Sequence, residues 1–126
     1  MKAISIKQPW ATLIALNIKP IENRSWKTNF RGKVLIHASG KSAGDIRNIL
    51  TEEQEMALPA LAFLSDNYPM SAIIGEVTIV DCVQNHPSVW AEKGCWNWVL
   101  EDPVFYPEPM NNIKGKLSFW DFEKPV

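Results

Sequence analysis

Apolar and polar residues alternate from the start of the chain. In "KAISIK" (2–7), β-branched Ile4 and Ile6 recur at every second position, which predicts a strand. The period then lengthens. In "QPWATLIALN" (8–17), Trp10, Leu13, Ile14 and Leu16 form one apolar side of a helix of about two turns. Pro9 suits the first turn, where a missing N–H costs nothing. Asn17 fits the left-handed position just past a helix end, and Pro20 prevents continuation. "IENRSW" (21–26) reads as extended, with Glu22, Arg24 and Trp26 on one face and Ile21, Asn23 and Ser25 on the other. After a turn, "KVLIHAS" (33–39) is a strand with an unbroken apolar run.

The middle of the chain reads as helical. "GKSAGDIRNIL" (40–50) suggests a loop and then a helix, and "TEEQ" (51–54) is a capping box opening another. Pro59 breaks that pattern, with "PALAFLSDN" as a further short helix. "SAIIGEVTIVDCV" (71–83) is the longest strand signal, and its Gly75 predicts a bulge or bend. "HPSVWAEKG" (86–94) reads as a short helix and "CWNWVLED" (95–102) as a strand. Pro103, Pro107 and Pro109 mark a loop, and "GKLSFWDFE" (115–123) is a last strand. The pattern predicts a mixed α/β, mainly β fold: a small barrel of about six strands with short helices packed around it.

Composition narrows the class. A chain of 126 residues is most simply one domain, 1–126, and hides about two-thirds of its unfolded surface. No apolar run approaches the roughly 20 residues of a membrane helix, and the N-terminus lacks a signal-peptide pattern. Cys82 and Cys95 form no zinc-type set, so no metal or cofactor is expected, and reduced thiols in a cytoplasmic protein are the default.

Charge changes the picture. The net charge of −1 conceals an asymmetry. Residues 1–47 hold nine Lys and Arg against two acids, net +7, whereas residues 48–126 hold four against twelve, net −8. If the first third stays together it makes a surface that attracts phosphate; if the halves interleave, the charge cancels. The six tryptophans leave room for one or two to stack on a ligand, with the rest in the core.

Together, "ISIKQPWATLIALNIKPIENRSW" and "RGKVLIHAS" resemble the N-terminal half of ASCH domains, relatives of the PUA fold. The signature GxKxxExR stands here as residues 17–24, with Asn17 in place of the leading Gly and with Lys19, Glu22 and Arg24 matching. "GEVTIVDCV", "SVWAEKGCWNWVLEDP" and "IKGKLSFWDF" are also family-like, so the resemblance covers most of the chain apart from a helical insert at about 41–70. It implies a PUA-like β-barrel of five or six strands and a cleft beside the first helix that binds RNA or a modified nucleoside. Some small bacterial members hydrolyse N4-acetylcytidine to cytidine and acetate, with a Lys at the position of Lys19, a Thr at that of Glu22 and a Glu from the later half. Another branch is reported as a ribonuclease. Glu22 departs from the hydrolase pattern, so a Thr nucleophile does not carry over, and Thr28 lies outside the motif. The later Glu corresponds to Glu92 or Glu76.

Several candidates have competing readings. Lys19 is a general base if burial depresses its pKa, a phosphate anchor if charged, or a solvated helix-end lysine. Glu22 and Arg24 make a structural ion pair, or Glu22 orients Lys19 and reads a base amino group while Arg24 holds phosphate. Trp26 stacks on a base or fills the core. Lys7 and Gln8 edge the cleft, and Ser39 and Lys41 at a helix start hold an anion. His37, in an apolar strand, reads as a satisfied core histidine. "GKS" (40–42) is no P-loop, because the required earlier Gly is Leu35. The expected activity is RNA or nucleoside binding. An amidohydrolase on N4-acylcytidine, with Lys19, Glu22 and Glu92 as catalytic groups, is the first alternative; a ribonuclease or a protein–protein adaptor is the second.

Overall fold

The computed structural model describes residues 1–59 and 68–123. Six strands form one sheet, with three short helices among the described residues. Strand β1 (Lys2–Gln8) leads into α1 (Trp10–Ala15), followed by β2 (Ile21–Arg24) and β3 (Gly32–Ser42). Helices α2 (Ile46–Ile49) and α3 (Glu52–Met56) precede β4 (Ala72–Val83), β5 (Trp96–Met110) and β6 (Phe119–Asp121). The spatial order is β2-β5-β4-β3-β1-β6, with β1 and β3 parallel and all other neighbours antiparallel.

The protein is mainly β, as the alternation predicts, but the sheet is not a closed ring. No backbone ladder joins the edge strands β2 and β6 among the described residues. Side chains span that opening instead. Arg24 on β2 donates from Nη2 to the Ser5 carbonyl on β1 at 2.7 Å. Just past β2, Trp26 packs edge-on against Phe119 of β6 with ring centroids 5.7 Å apart.

The core explains the curl. Ile4 and Ile6 of β1, Val34 and Ile36 of β3, Ile74 and Val77 of β4 and Trp98 of β5 meet Ala11 and Ile14 of α1 in one buried cluster. A second cluster gathers Leu13, Ile21, Ile46, Leu58 and Trp90 around the outer side of α1. Gly75 permits the bend in β4. A Cβ there would lie 2.2 Å from the Val104 carbonyl oxygen, and the pairing of β4 with both neighbours shifts register beside it.

Several local expectations are corrected. The prolines at 103, 107 and 109 do not make a loop, since β5 runs through them. Between the pairs Gly75↔Phe105 and Ile73↔Met110, β5 carries extra residues that owe no ladder bond, so Pro107 and Pro109 remove nothing. Asp102, at φ 51°, absorbs a similar shift beside Pro103. Residues 86–94 form turns rather than a helix. Strand β3 continues through Ser42, so Ser39 and Lys41 lie at a strand end and not at a helix start. Only Phe119–Asp121 of the expected last strand pairs, and 112–118 is a non-strand strap. The predicted helix at 59–67 falls almost wholly outside the described residues. Cys82 and Cys95 are both free thiols.

Candidate functional site

Helix α1 ends in a complete Schellman motif. The Asn17 N–H donates to the Ile14 carbonyl at 3.1 Å, and the Ile18 N–H to the Leu13 carbonyl at 3.0 Å. Asn17 takes the left-handed conformation this requires, at φ 62°. The chain therefore doubles back, and Lys19 is folded beneath the helix instead of projecting into water. Its Nζ donates to the Ile21 carbonyl and lies 5.4 Å from the Trp10 ring centroid. Only 4% of Lys19 is exposed, so the solvated-lysine reading is excluded.

Glu22 bridges two cations. Its Oε1 is 3.7 Å from Lys19 Nζ, and its Oε2 accepts from Arg24 Nε at 2.9 Å and lies 2.9 Å from Nη2. The alternation that puts Glu22 and Arg24 on one face is thus realised. Burial lowers the Lys19 pKa below its ordinary value, and this effect outweighs the opposing pull of Glu22. Arg24 lowers it further, while the charge of Glu92 acts in the same sense as Glu22. Lys19 gives up its proton more readily than a surface lysine, which suits it to hold or move a proton at Nζ.

Two cavities adjoin this cluster. One, of about 790 Å³, is lined by Lys19, Glu22, Trp10, His86, Glu92 and Asn97, among others. The other, of about 1030 Å³, is a groove lined by Arg24 and by Lys7, Ser39, Lys41, Lys114 and Lys116. Trp10, Glu22 and Asn23 border both and form the ridge between them.

The sequence-predicted residues separate accordingly. Lys19, Glu22 and Glu92 meet in the first cavity, and Lys7, Arg24, Ser39 and Lys41 line the second. Gln8 lines neither, because its amide is spent: Nε2 donates to Thr12 Oγ1 and to the Pro69 carbonyl, and Oε1 accepts the Thr12 N–H. It fixes the start of α1. Trp26 also borders neither cavity; it packs edge-on against Trp98 at 4.8 Å and against Phe119, so the core reading describes its surroundings. Glu76 lies away from both cavities, paired with Lys33 Nζ at 2.9 Å and accepting from Tyr106 Oη, whereas Glu92 lines the first cavity. Thr28 is buried, and its hydroxyl accepts the Phe30 N–H. His37 is satisfied on both ring nitrogens, by Ser5 Oγ at 2.8 Å and the Ile113 carbonyl at 2.6 Å.

Sequence reasoning missed the residues that hold the site together. Asn23 and Asn97 are cross-strand partners on β2 and β5. Asn23 Nδ2 donates to the Trp90 carbonyl, and its Oδ1 accepts from the Glu92 N–H at 3.0 Å and from Asn97 Nδ2 at 2.9 Å. Asn97 Nδ2 also donates to the Glu92 carbonyl, and Asn97 Oδ1 accepts the His86 N–H. This amide clasp pins the 86–92 turns against the sheet and sets Glu92 on the wall of the cavity that Lys19 also lines. The available signal was two asparagines in otherwise strand-forming stretches.

A family model described as the ASCH domain matches residues 4–118. The chain belongs to the ASCH family. It is similar to Activating signal cointegrator 1 of Mus musculus, at 34% identity over 98% of this chain. It is likewise similar to Activating signal cointegrator 1 of Homo sapiens, at 33% identity over 98% of this chain. It spans 22% of the length of each of these relatives. The ASCH signature acquires a physical meaning here. Its leading position is the left-handed helix terminus, which Gly adopts freely and Asn tolerates, and this turn is what buries the signature lysine. No helix among the described residues of this ASCH domain is long and apolar enough to cross a membrane.

Proposed function

We propose that this ASCH domain binds RNA or a modified nucleoside, with the base in the cavity beside α1. The observation that carries the reading is the Lys19–Glu22–Arg24 cluster at the junction of a cavity lined by polar and aromatic side chains and a basic groove. Glu22 and Glu92 supply carboxylate acceptors for an exocyclic amino group such as that of cytosine, and Lys19 supplies a donor for a ring carbonyl. Trp10, bordering both cavities, offers a flat apolar wall. The curled sheet, bridged across its opening by Arg24 and Trp26, supports a PUA-like barrel in a single domain with the α2–α3 region as an insert.

A second reading is favoured by one specific feature. Burial lowers the Lys19 pKa, Glu22 pairs with Lys19, and Glu92 lines the same cavity, a combination suited to hydrolysis of an N4-acylcytidine. Lys19 Nζ would activate water or orient the acyl carbonyl, and Glu92 would move protons.

One experiment addresses both readings. The protein is titrated with N4-acetylcytidine while tryptophan fluorescence reports binding and chromatography follows cytidine release, beside Lys19→Ala. Binding that is lost in the variant supports the site. Cytidine release that is also lost makes it an amidohydrolase. Absence of binding to the unaltered protein, both of this nucleoside and of short single-stranded RNA, refutes the proposal.

A further inference from the structure

The groove beyond the ridge is unlike the cavity on its other side. Lys7 comes from the end of β1, Lys41 from the end of β3, and Lys114 and Lys116 from the strap between β5 and β6. All four are exposed, and none makes an ion pair among the described residues. The one carboxylate on the groove among the described residues, Glu22, is already engaged by Lys19 and Arg24. Four uncompensated cations converging on one hollow repel one another, and an anion there relieves that repulsion.

The strap is held in place rather than merely passing by. Its Ile113 N–H donates to the Ser71 carbonyl at 2.8 Å, and its Ile113 carbonyl faces His37 Nε2 at 2.6 Å. His37 Nδ1 in turn meets Ser5 Oγ, so the ring carries its proton on Nε2 and donates it to the strap. Gly115 sits directly on this pair. A Cβ there would come within 2.4 Å of Ser5 Oγ and 2.6 Å of His37 Cε1. The buried histidine and the missing side chain together press the backbone between the two lysines against the sheet, leaving Lys114 and Lys116 on the groove wall. The Ser5 carbonyl also accepts from Arg24, so the strap and the ion cluster share one anchoring residue.

We propose that the strap carrying Lys114 and Lys116, with Lys7 and Lys41 opposite, is a phosphate site for a nucleotide whose base lies across the Trp10–Glu22–Asn23 ridge. The preferred ligand class is then a nucleoside phosphate, as a mononucleotide or as a unit of a single strand, bound more tightly than the free nucleoside. A phosphate brings up to two charges and several acceptor oxygens, which matches several point-charge ammonium groups better than a single carboxylate does. One ribose separates base from phosphate, as the ridge separates cavity from groove. Gly115 and His37 act as positioning residues for the two strap lysines. The inference rests on the base-binding reading of the cavity, and its test keeps the two apart.

Affinities of the whole chain are measured by calorimetry for cytidine, cytidine 5′-monophosphate and the trinucleotide CpCpC, at two salt concentrations. The variants are Lys114→Ala with Lys116→Ala, and Gly115→Ala. The unaltered protein is expected to bind the monophosphate about tenfold or more tightly than cytidine. The double lysine variant, altered only at exposed positions, should lose that preference while binding cytidine within about twofold of the original. Gly115→Ala should lose it too although both lysines remain. Because Gly115→Ala perturbs packing, its thermal melt is recorded; the double lysine variant alone decides if it unfolds. A further gain for CpCpC that falls with salt identifies a single strand as the source of the phosphate, and no further gain identifies a mononucleotide. Equal affinity for cytidine and its monophosphate overturns the phosphate site and leaves the cavity reading standing. Failure of all three ligands overturns both.

Discussion

Among the described residues, two lysine–glutamate pairs have opposite character. Lys33 and Glu76 meet at 2.9 Å on the outer surface of β3 and β4, with the lysine side chain 55% exposed. Lys19 and Glu22 stand farther apart, at 3.7 Å, but their side chains are only 4% and 9% exposed. The shorter contact is the less consequential one. At the surface, water and salt screen the attraction, and holding two long side chains offsets it. In the interior neither charge has solvent to fall back on, so the cluster of Lys19, Glu22 and Arg24 stands only as a complete set. The pKa directions record the same contrast. The Glu76 hydrogen bond raises Lys33, whereas burial lowers Lys19 despite Glu22.

Removing the shared acid breaks the comparison most forcefully. Glu22→Ala leaves Lys19 and Arg24 together without their carboxylate and should cost about 3–5 kcal/mol in denaturant unfolding. Glu76→Ala should shift the midpoint far less. Equal losses would mean that the interior cluster is as well solvated as the surface pair.

Alkaline titration sharpens the contrast at smaller amplitude. A lysine whose folded pKa is depressed binds fewer protons when folded than when unfolded. The penalty for burying Lys19 is therefore present below its folded value and is relieved as pH rises towards 10.5. Lys33 has a raised folded value, so its contribution is complete below 10.5 and is lost only as pH rises through that higher value. Melting temperatures of the unaltered protein relative to Lys19→Met should thus drift in favour of the unaltered protein on the way up to pH 10.5. The difference relative to Lys33→Met should stay flat there and shrink only above it. Parallel drifts would contradict the assignment of burial as the cause of the Lys19 shift.

Much of this site was legible because it is local. Pro20, Asn17 and the Glu22–Arg24 alternation are short-range signals, and each has its expected consequence in the turn and on the strand face. What escaped depends on residues far apart in the chain. Glu76 and Glu92 are equivalent candidates in sequence; only the pairing of β4 with β5 and the Asn23–Asn97 clasp place one outside and the other at the cleft. Trp26 shares its strand parity with Glu22 and Arg24, yet the approach of Phe119, nearly a hundred residues later, turns it into packing. The charge asymmetry was half informative: Lys7 and Lys41 gather as the basic first third predicts, but Lys114 and Lys116 come from the acidic remainder. The barrel expectation followed from strand spacing, and spacing carries no information about whether the β2 and β6 edges meet in a ladder. The prolines of β5 misled because their N–H groups fall where bulges leave the partner strand with nothing to accept.

The central claim is that the interior cluster, and not the surface pair, forms the ligand site. Its most direct test is titration of a short single-stranded RNA into Lys19→Met and Lys33→Met, each confirmed as folded by its melt. Binding should fall at least about tenfold in the first and remain within about twofold in the second. Equal affinities in the two variants would contradict it.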